Sequence, residues 1–224
     1  MKYFLVLLLS VQSLLTIAQT YRNPPRSEVS KDSSLRKFTD TLKAIVARKD
    51  AQALVRLLNP AVKVASNGAA NGVKGFKEIY APQHAASPIW KNLEEMLTLG
   101  GVFTGKVNQE FIFPYAAHRD IKDKSCLNCG QCVTIIAPDA HVRKKADRTA
   151  PSVGVLNYDI VKVVTEPVSK VKGGNEENWV YIQSFDGKIT GWVRNDLTWD
   201  ICDYRLLLDK QKGQWQIKSL IAGE

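Results

Sequence analysis

The sequence predicts an α+β protein, with a helix-rich amino-terminal α+β domain followed by a small β-barrel and a terminal β-hairpin. Three observations carry that expectation. Leu35, Phe38, Leu42 and Ile45 recur at three and four residues, the spacing of one helical face. From Val153 onward the apolar residues instead fall in short β-branched and aromatic runs separated by turn residues. A chain of 224 residues that is 45% hydrophobic and 24% charged can bury a proper core in one large or two small domains.

Residues 1–18 read as a secretory signal peptide. Lys2 supplies the positive start, the apolar run beginning at Phe4 follows, and Thr16-Ile17-Ala18 offers small residues before a cut ahead of Gln19. Ser10, Gln12 and Ser13 interrupt the run, which is short for a membrane span. The expected mature protein is therefore exported, periplasmic or secreted, with no membrane span. Residues 19–31, which contain Pro24-Pro25, read as a flexible lead-in.

The α+β domain is placed at 32–125. Asp32, Ser33 or Ser34 caps the first helix, and Asp50 caps a short second one that Asn59-Pro60 stops. Residues 61–65 alternate as a strand, and Gly68, Gly72 and Gly75 punctuate a loop. Ser87-Pro88 starts another helix with Ile89, Trp90, Leu93, Met96 and Leu97 on its apolar face, ended by Gly100-Gly101. Strands around Phe103 and along 111–115 lead to the cysteines.

The barrel is placed at 126–200. Val153, Val155 and the run 160–164 read as strands, as do 179–182 and 189–193. Asp186-Gly187 between the last two is a strong hairpin signal. A final hairpin at 203–222, turning at Lys212-Gly213, has no place in the barrel and is expected to complete the amino-terminal domain.

Val142-Arg143, Tyr158-Asp159-Ile160-Val161, Trp179-Val180-Tyr181-Ile182, Asp186-Gly187-Lys188 and Gly191-Trp192-Val193 together resemble the bacterial Src-homology-3-like domain. The resemblance covers about a quarter of the chain. It implies a five- or six-stranded barrel of exported envelope proteins, used to bind cell-wall peptide or a protein partner and not for catalysis. The helical start and terminal hairpin are similar to the cone-shaped α+β fold of the nuclear-transport-factor-two type.

Net charge is +9, and removal of Lys2 lowers it by one. Arg143, Lys144, Lys145 and Arg148 form a local basic cluster. Export and the lack of interleaved aromatics argue against nucleic acid, so the cluster reads as a solvated loop with nonspecific attraction to anionic polymers.

Cys126, Cys129 and Cys132 are spaced C-x-x-C-x-x-C, with Cys202 apart. Ile136 and Ala137 stand where a bacterial ferredoxin needs cysteine and proline, so that cluster is excluded. Zinc with Cys202 as fourth ligand and a redox pair at Cys126 and Cys129 are open alternatives, but in an exported protein two structural disulfides are expected, with no metal. Three connectivities are possible. The expected one joins Cys126 to Cys129 and Cys132 to Cys202.

His84, His118 and His141 lie in no catalytic motif, and no phosphate-binding glycine loop is present. His118 precedes the cysteines closely enough to be checked as a nucleophile's base. The expected function is noncatalytic and cofactor-free: the barrel binds a peptide, a peptidoglycan fragment or an envelope protein through Trp179, Tyr181, Trp192 and Trp199. The alternative is a small hydrolase or isomerase with a cavity in the first domain lined by Trp90, Phe111, Phe113 or Tyr115.

Overall fold

The computed structural model describes residues 21–64, 71–105, 109–119, 121, 123–164 and 179–223. The expected signal peptide lies outside the described residues. The fold is mixed α+β, with four α-helices and two sheets among the described residues.

Helix α1 (Ser33–Arg48) forms where the three-four spacing falls. Asp32 caps it by accepting hydrogen bonds from the backbone N–H groups of Ser34 and Leu35, and Lys49 closes it in the left-handed region at φ 53°. Leu35, Leu42, Ile45 and Val46 are buried along one stripe. Each fully buried leucine there stabilises by about 1.5–3 kcal/mol. Helix α2 (Ala51–Arg56) is capped by Asp50.

Strand β1 (Leu58–Lys63) follows directly, so Asn59-Pro60 lies inside a strand and does not merely stop a helix. Proline is tolerated there because β1 is an edge strand. Helix α3 (Gly72–Tyr80) occupies residues expected to form a glycine-punctuated loop. Tertiary packing overrides the glycine penalty: Phe76 and Tyr80 are buried, and the Tyr80 hydroxyl donates to the Leu220 carbonyl at 2.6 Å. Helix α4 (Pro88–Leu99) begins at the Ser87 cap. Gly101 then admits no side chain, since an added Cβ would lie 2.4 Å from the Ile112 carbonyl oxygen.

The first sheet contains β2 (Val102–Phe103), β3 (Glu110–Phe113), β11 (Arg205–Gln211) and β12 (Gln214–Ile221) besides β1, in the order β1-β12-β11-β3-β2. The hairpin β11–β12 turns through Lys212 and Gly213, both at positive φ, which suits a tight two-residue loop. It runs antiparallel to β3 and parallel to β1, so the carboxyl-terminal strands sit at the centre of this sheet. Helices α1 and α4 cover the sheet around one core that includes Leu42, Met96, Phe111, Leu208 and Ile217.

The second sheet comprises β4 (Cys132–Ile135), β5 (Ala140–Arg143), β6 (Ser152–Leu156), β7 (Ile160–Val163), β8 (Trp179–Gln183), β9 (Thr190–Arg194) and β10 (Thr198–Asp200). The order is β10-β4-β7-β8-β9-β5-β6, antiparallel throughout. The expected closed barrel is not formed: β10 and β6 end the order on opposite sides. Trp199 on β10 instead joins the core of the first sheet. Val133, Ile135, Val142, Val161, Ile182 and Val193 form a separate core inside the second sheet.

Residues 21–31 are not the loose lead-in the sequence suggests. Asn23 N–H donates to the Tyr158 carbonyl and Ile160 N–H to the Tyr21 carbonyl, both at 2.8 Å, while Glu28 N–H donates to the Gly101 carbonyl. The segment therefore ties both sheets together.

Asp32 also accepts a hydrogen bond from Lys210 Nζ on β11 at 2.8 Å. That bond, with those from Ser34 and Leu35, holds the Asp32 carboxyl well below its usual value of 3.8. A depressed folded-state pKa contributes stability above the unfolded value, lost as pH falls through the folded one. Asp32→Asn keeps a capping oxygen but not the charge. It is expected to cost about 1 kcal/mol or less at neutral pH and to flatten the loss of stability between about pH 4 and pH 2 in urea titrations. Parallel pH curves for the variant and the parent protein would refute this.

Candidate functional site

Strands β8 and β9 alternate strictly. Val180, Ile182 and Val193 face the inner core, so Trp179, Tyr181, Trp192 and Arg194 share the opposite face. Register then decides the neighbours. Trp179 stands opposite Arg194, Tyr181 opposite Trp192, and Gln183 opposite Thr190. The Tyr181 and Trp192 rings lie 5.1 Å apart between centroids at 60°. All three aromatic residues are half-buried.

On the other side of β9, Trp192 stands opposite Arg143 of β5. Gly191 permits this approach, since a Cβ there would lie 2.6 Å from the Arg143 carbonyl oxygen. The Arg143 guanidinium donates from Nη1 to the Ala150 carbonyl at 2.7 Å, bracing the β5–β6 loop. Lys144, Lys145 and Arg148 on that loop are exposed. Arg143, the first residue of the basic cluster, is thus beside the aromatic face. Arg194 also borders the rings, in an ion pair with Asp196, whereas Lys162, opposite Gln183, holds its Nζ 4.8 Å from the centroid of the Phe185 ring.

Trp199 does not belong to this face. It is 7% exposed and packs in the helix-covered core. The expected quartet is therefore a triad, and Trp199 is part of the joint between the two sheets.

The cysteines form two disulfides, but not in the expected pairing. Cys126 joins Cys132 and Cys129 joins Cys202, with Cα separations of 5.1 and 5.4 Å. Cys126 and Cys132 are both buried against Ile160. Gly130, at φ 70°, turns the chain between them, and its N–H donates to Asp200 Oδ2 at 2.9 Å, which sets Cys129 beside Cys202. No sequence rule couples Gly130 to Asp200. Asp200 lies near both Cys129 and Cys202, yet both sulfurs are spent in the disulfide.

The residues expected to line a first-domain cavity are core. Trp90, Phe111, Phe113 and Tyr115 are each at most 3% exposed, and burial pushes the Tyr115 phenol up to about 12. A cleft of about 240 Å³ does open nearby, lined by Arg26, Glu28, Val102, Phe103, His118 and Arg119. Its lining carries Arg26, Glu28 and a largely buried Arg119 whose Nε and Nη2 have no hydrogen-bond partner among the described residues. Hydrogen bonds from Lys31 and the Phe103 N–H hold the Glu28 carboxyl low, and Asp200 and Asp203 face Arg119. No side chain lining it is a nucleophile of the kind His118 would serve, because all four cysteines are in disulfides. His141 meets Ser152 Oγ at 3.0 Å on the exposed rim of β5 and β6.

No helix among the described residues is long and apolar enough to cross a membrane. No family model matches the chain, and neither curated proteins nor solved structures give a match.

The Cys129–Cys202 bond spans 73 residues and the Cys126–Cys132 bond six. In the loop-entropy account the longer contributes about 4 kcal/mol and the shorter about 2. Cys129→Ser/Cys202→Ser is therefore expected to lose more stability in denaturant than Cys126→Ser/Cys132→Ser, and peptide mapping of the unreduced protein should recover the two pairs described. Recovery of a Cys126–Cys129 peptide would overturn the assignment.

Proposed function

We propose that this chain is an exported, noncatalytic binding protein and that the outer face of β8 and β9 is its binding surface for an envelope ligand. The observation that carries the reading is the triad Trp179, Tyr181 and Trp192, three half-exposed rings on one side of two neighbouring strands. Tryptophan and tyrosine left partly in water at one spot are the residue types that anchor ligands.

The occupant that fits best is a cell-wall fragment, ahead of a peptide or another envelope protein. Both β8 and β9 are interior strands, paired on each side, so a bound chain finds no free backbone edge beside the rings. Recognition there rests on side chains. The bacterial Src-homology-3-like reading draws support from Val142-Arg143, Tyr158 to Val161, Trp179 to Ile182 and Gly191 to Val193 all falling in one antiparallel sheet or its turns. Likeness of the first unit to the nuclear-transport-factor-two type draws support from a mixed five-stranded sheet covered by helices. Export draws support from the signal-peptide pattern and from two disulfides, which persist in oxidising compartments.

Binding to sonicated, purified peptidoglycan in a co-sedimentation assay tests the proposal, with Trp179→Ala/Trp192→Ala as the probe of the face. The parent protein should sediment with the polymer and the variant should lose about tenfold or more in affinity, each of the two rings being worth about 0.5–1.5 kcal/mol. Equal sedimentation of the two proteins would remove this face from consideration.

A further inference from the structure

Resting on that assignment of the face, we infer that its ligand is an anionic glycan, a polymer of sugar rings carrying carboxylate or phosphate groups. Two features of the surface point the same way. The rings of Trp179, Tyr181 and Trp192 offer stacking surface in the middle of a sheet, where a flat ring can lie but an extended peptide cannot add as a strand. Among the described residues around them, cations predominate. Arg143 is the cross-strand neighbour of Trp192, Arg194 of Trp179, and Lys162 of Gln183. Lys144, Lys145 and Arg148 extend that rim into solvent on the β5–β6 loop.

The acids described within this rim stay charged but are outnumbered by its cations. Asp147 Oδ1 accepts from the Thr149 N–H and hydroxyl, Asp186 Oδ1 from the Ser184 hydroxyl and Lys188 N–H, and Asp196 pairs with Arg194. A basic rim around stacking rings selects a ligand that combines ring faces with repeated negative charge. Nucleic acid shares that chemistry, but two disulfides fit the proposed export to oxidising surroundings, away from nucleic acid.

The test uses the full mature chain, with all four cysteines oxidised. Affinity electrophoresis is run in gels containing polygalacturonate, purified teichoic acid, neutral dextran or single-stranded oligothymidylate. Retardation is expected in one or both anionic glycans and not in dextran, and the two anionic arms separate carboxylate from phosphate recognition. Added salt should weaken it, as screening of exposed charges requires. Trp192→Ala should weaken binding about tenfold or more, the loss that one stacking ring produces. The triple variant Lys144→Gln/Lys145→Gln/Arg148→Gln changes exposed residues outside both cores and should flatten the salt dependence, keeping the inference testable should Trp192→Ala fail to fold. Equal retardation by dextran, tighter binding to the oligonucleotide than to either glycan, or an unchanged salt dependence in the triple variant would overturn it. Peptidoglycan binding that survives at high salt, with no retardation by either anionic glycan, would sink this inference alone. Indifference of Trp192→Ala and the double tryptophan variant to every polymer would sink the binding face as well.

Discussion

The constraint on which the second sheet depends is the register between β8 and β9. Side chains alternate with a period of two, so a slip of one residue would turn every ring inward and every valine outward. Ile182 and Val193 are fully buried and fix the register from the inside. Gly191 fixes it from the side, because only a residue without a Cβ lets β5 come so close. The aromatic face is thus a by-product of core packing on the opposite side of the same strands. Its rigidity comes from residues that no ligand touches.

The two sheets are joined by more than a linker. Trp199 inserts into the core of the first sheet while its own strand pairs with β4 of the second. Arg119 Nη1 donates to the Cys132 carbonyl at 2.9 Å, and residues 21–23 bond to Tyr158 and Ile160. The Cys129–Cys202 bond lies in the same region, immediately before the chain returns through β11. Because β11 pairs with β3 in the middle of the first sheet, completing that sheet closes a loop that contains the whole of the second. Long-range pairing of this kind closes large loops and is slow for that reason.

What the sequence disclosed was local chemistry. The apolar stripe and Asp32 cap of α1, the Ser87-Pro88 start of α4 and the Lys212-Gly213 turn each depend on residues within a few positions of one another. Helix α3 was hidden because Gly72 and Gly75 argue for a loop, and what outweighs them is burial of Phe76 and Tyr80 against distant strands. The aromatic triad was readable from period-two alternation in 179–182 and 190–194. Removal of Trp199 from it was not, since nothing near that residue says which of two cores it enters. The neighbourhood of Arg143 and Trp192 was equally hidden: it exists through the pairing of β5 with β9, which the order of the chain does not announce.

An open sheet has a further consequence. Strand β6 ends the second sheet, with Val153 and Val155 at 43% and 41% exposure. Apolar, unpaired strand margins invite like strands from other molecules. Here the turn leading into β6 carries the exposed cations Lys144, Lys145 and Arg148 beside that margin. Charge placed at a strand margin disfavours pairing with another chain, and counterions weaken that effect.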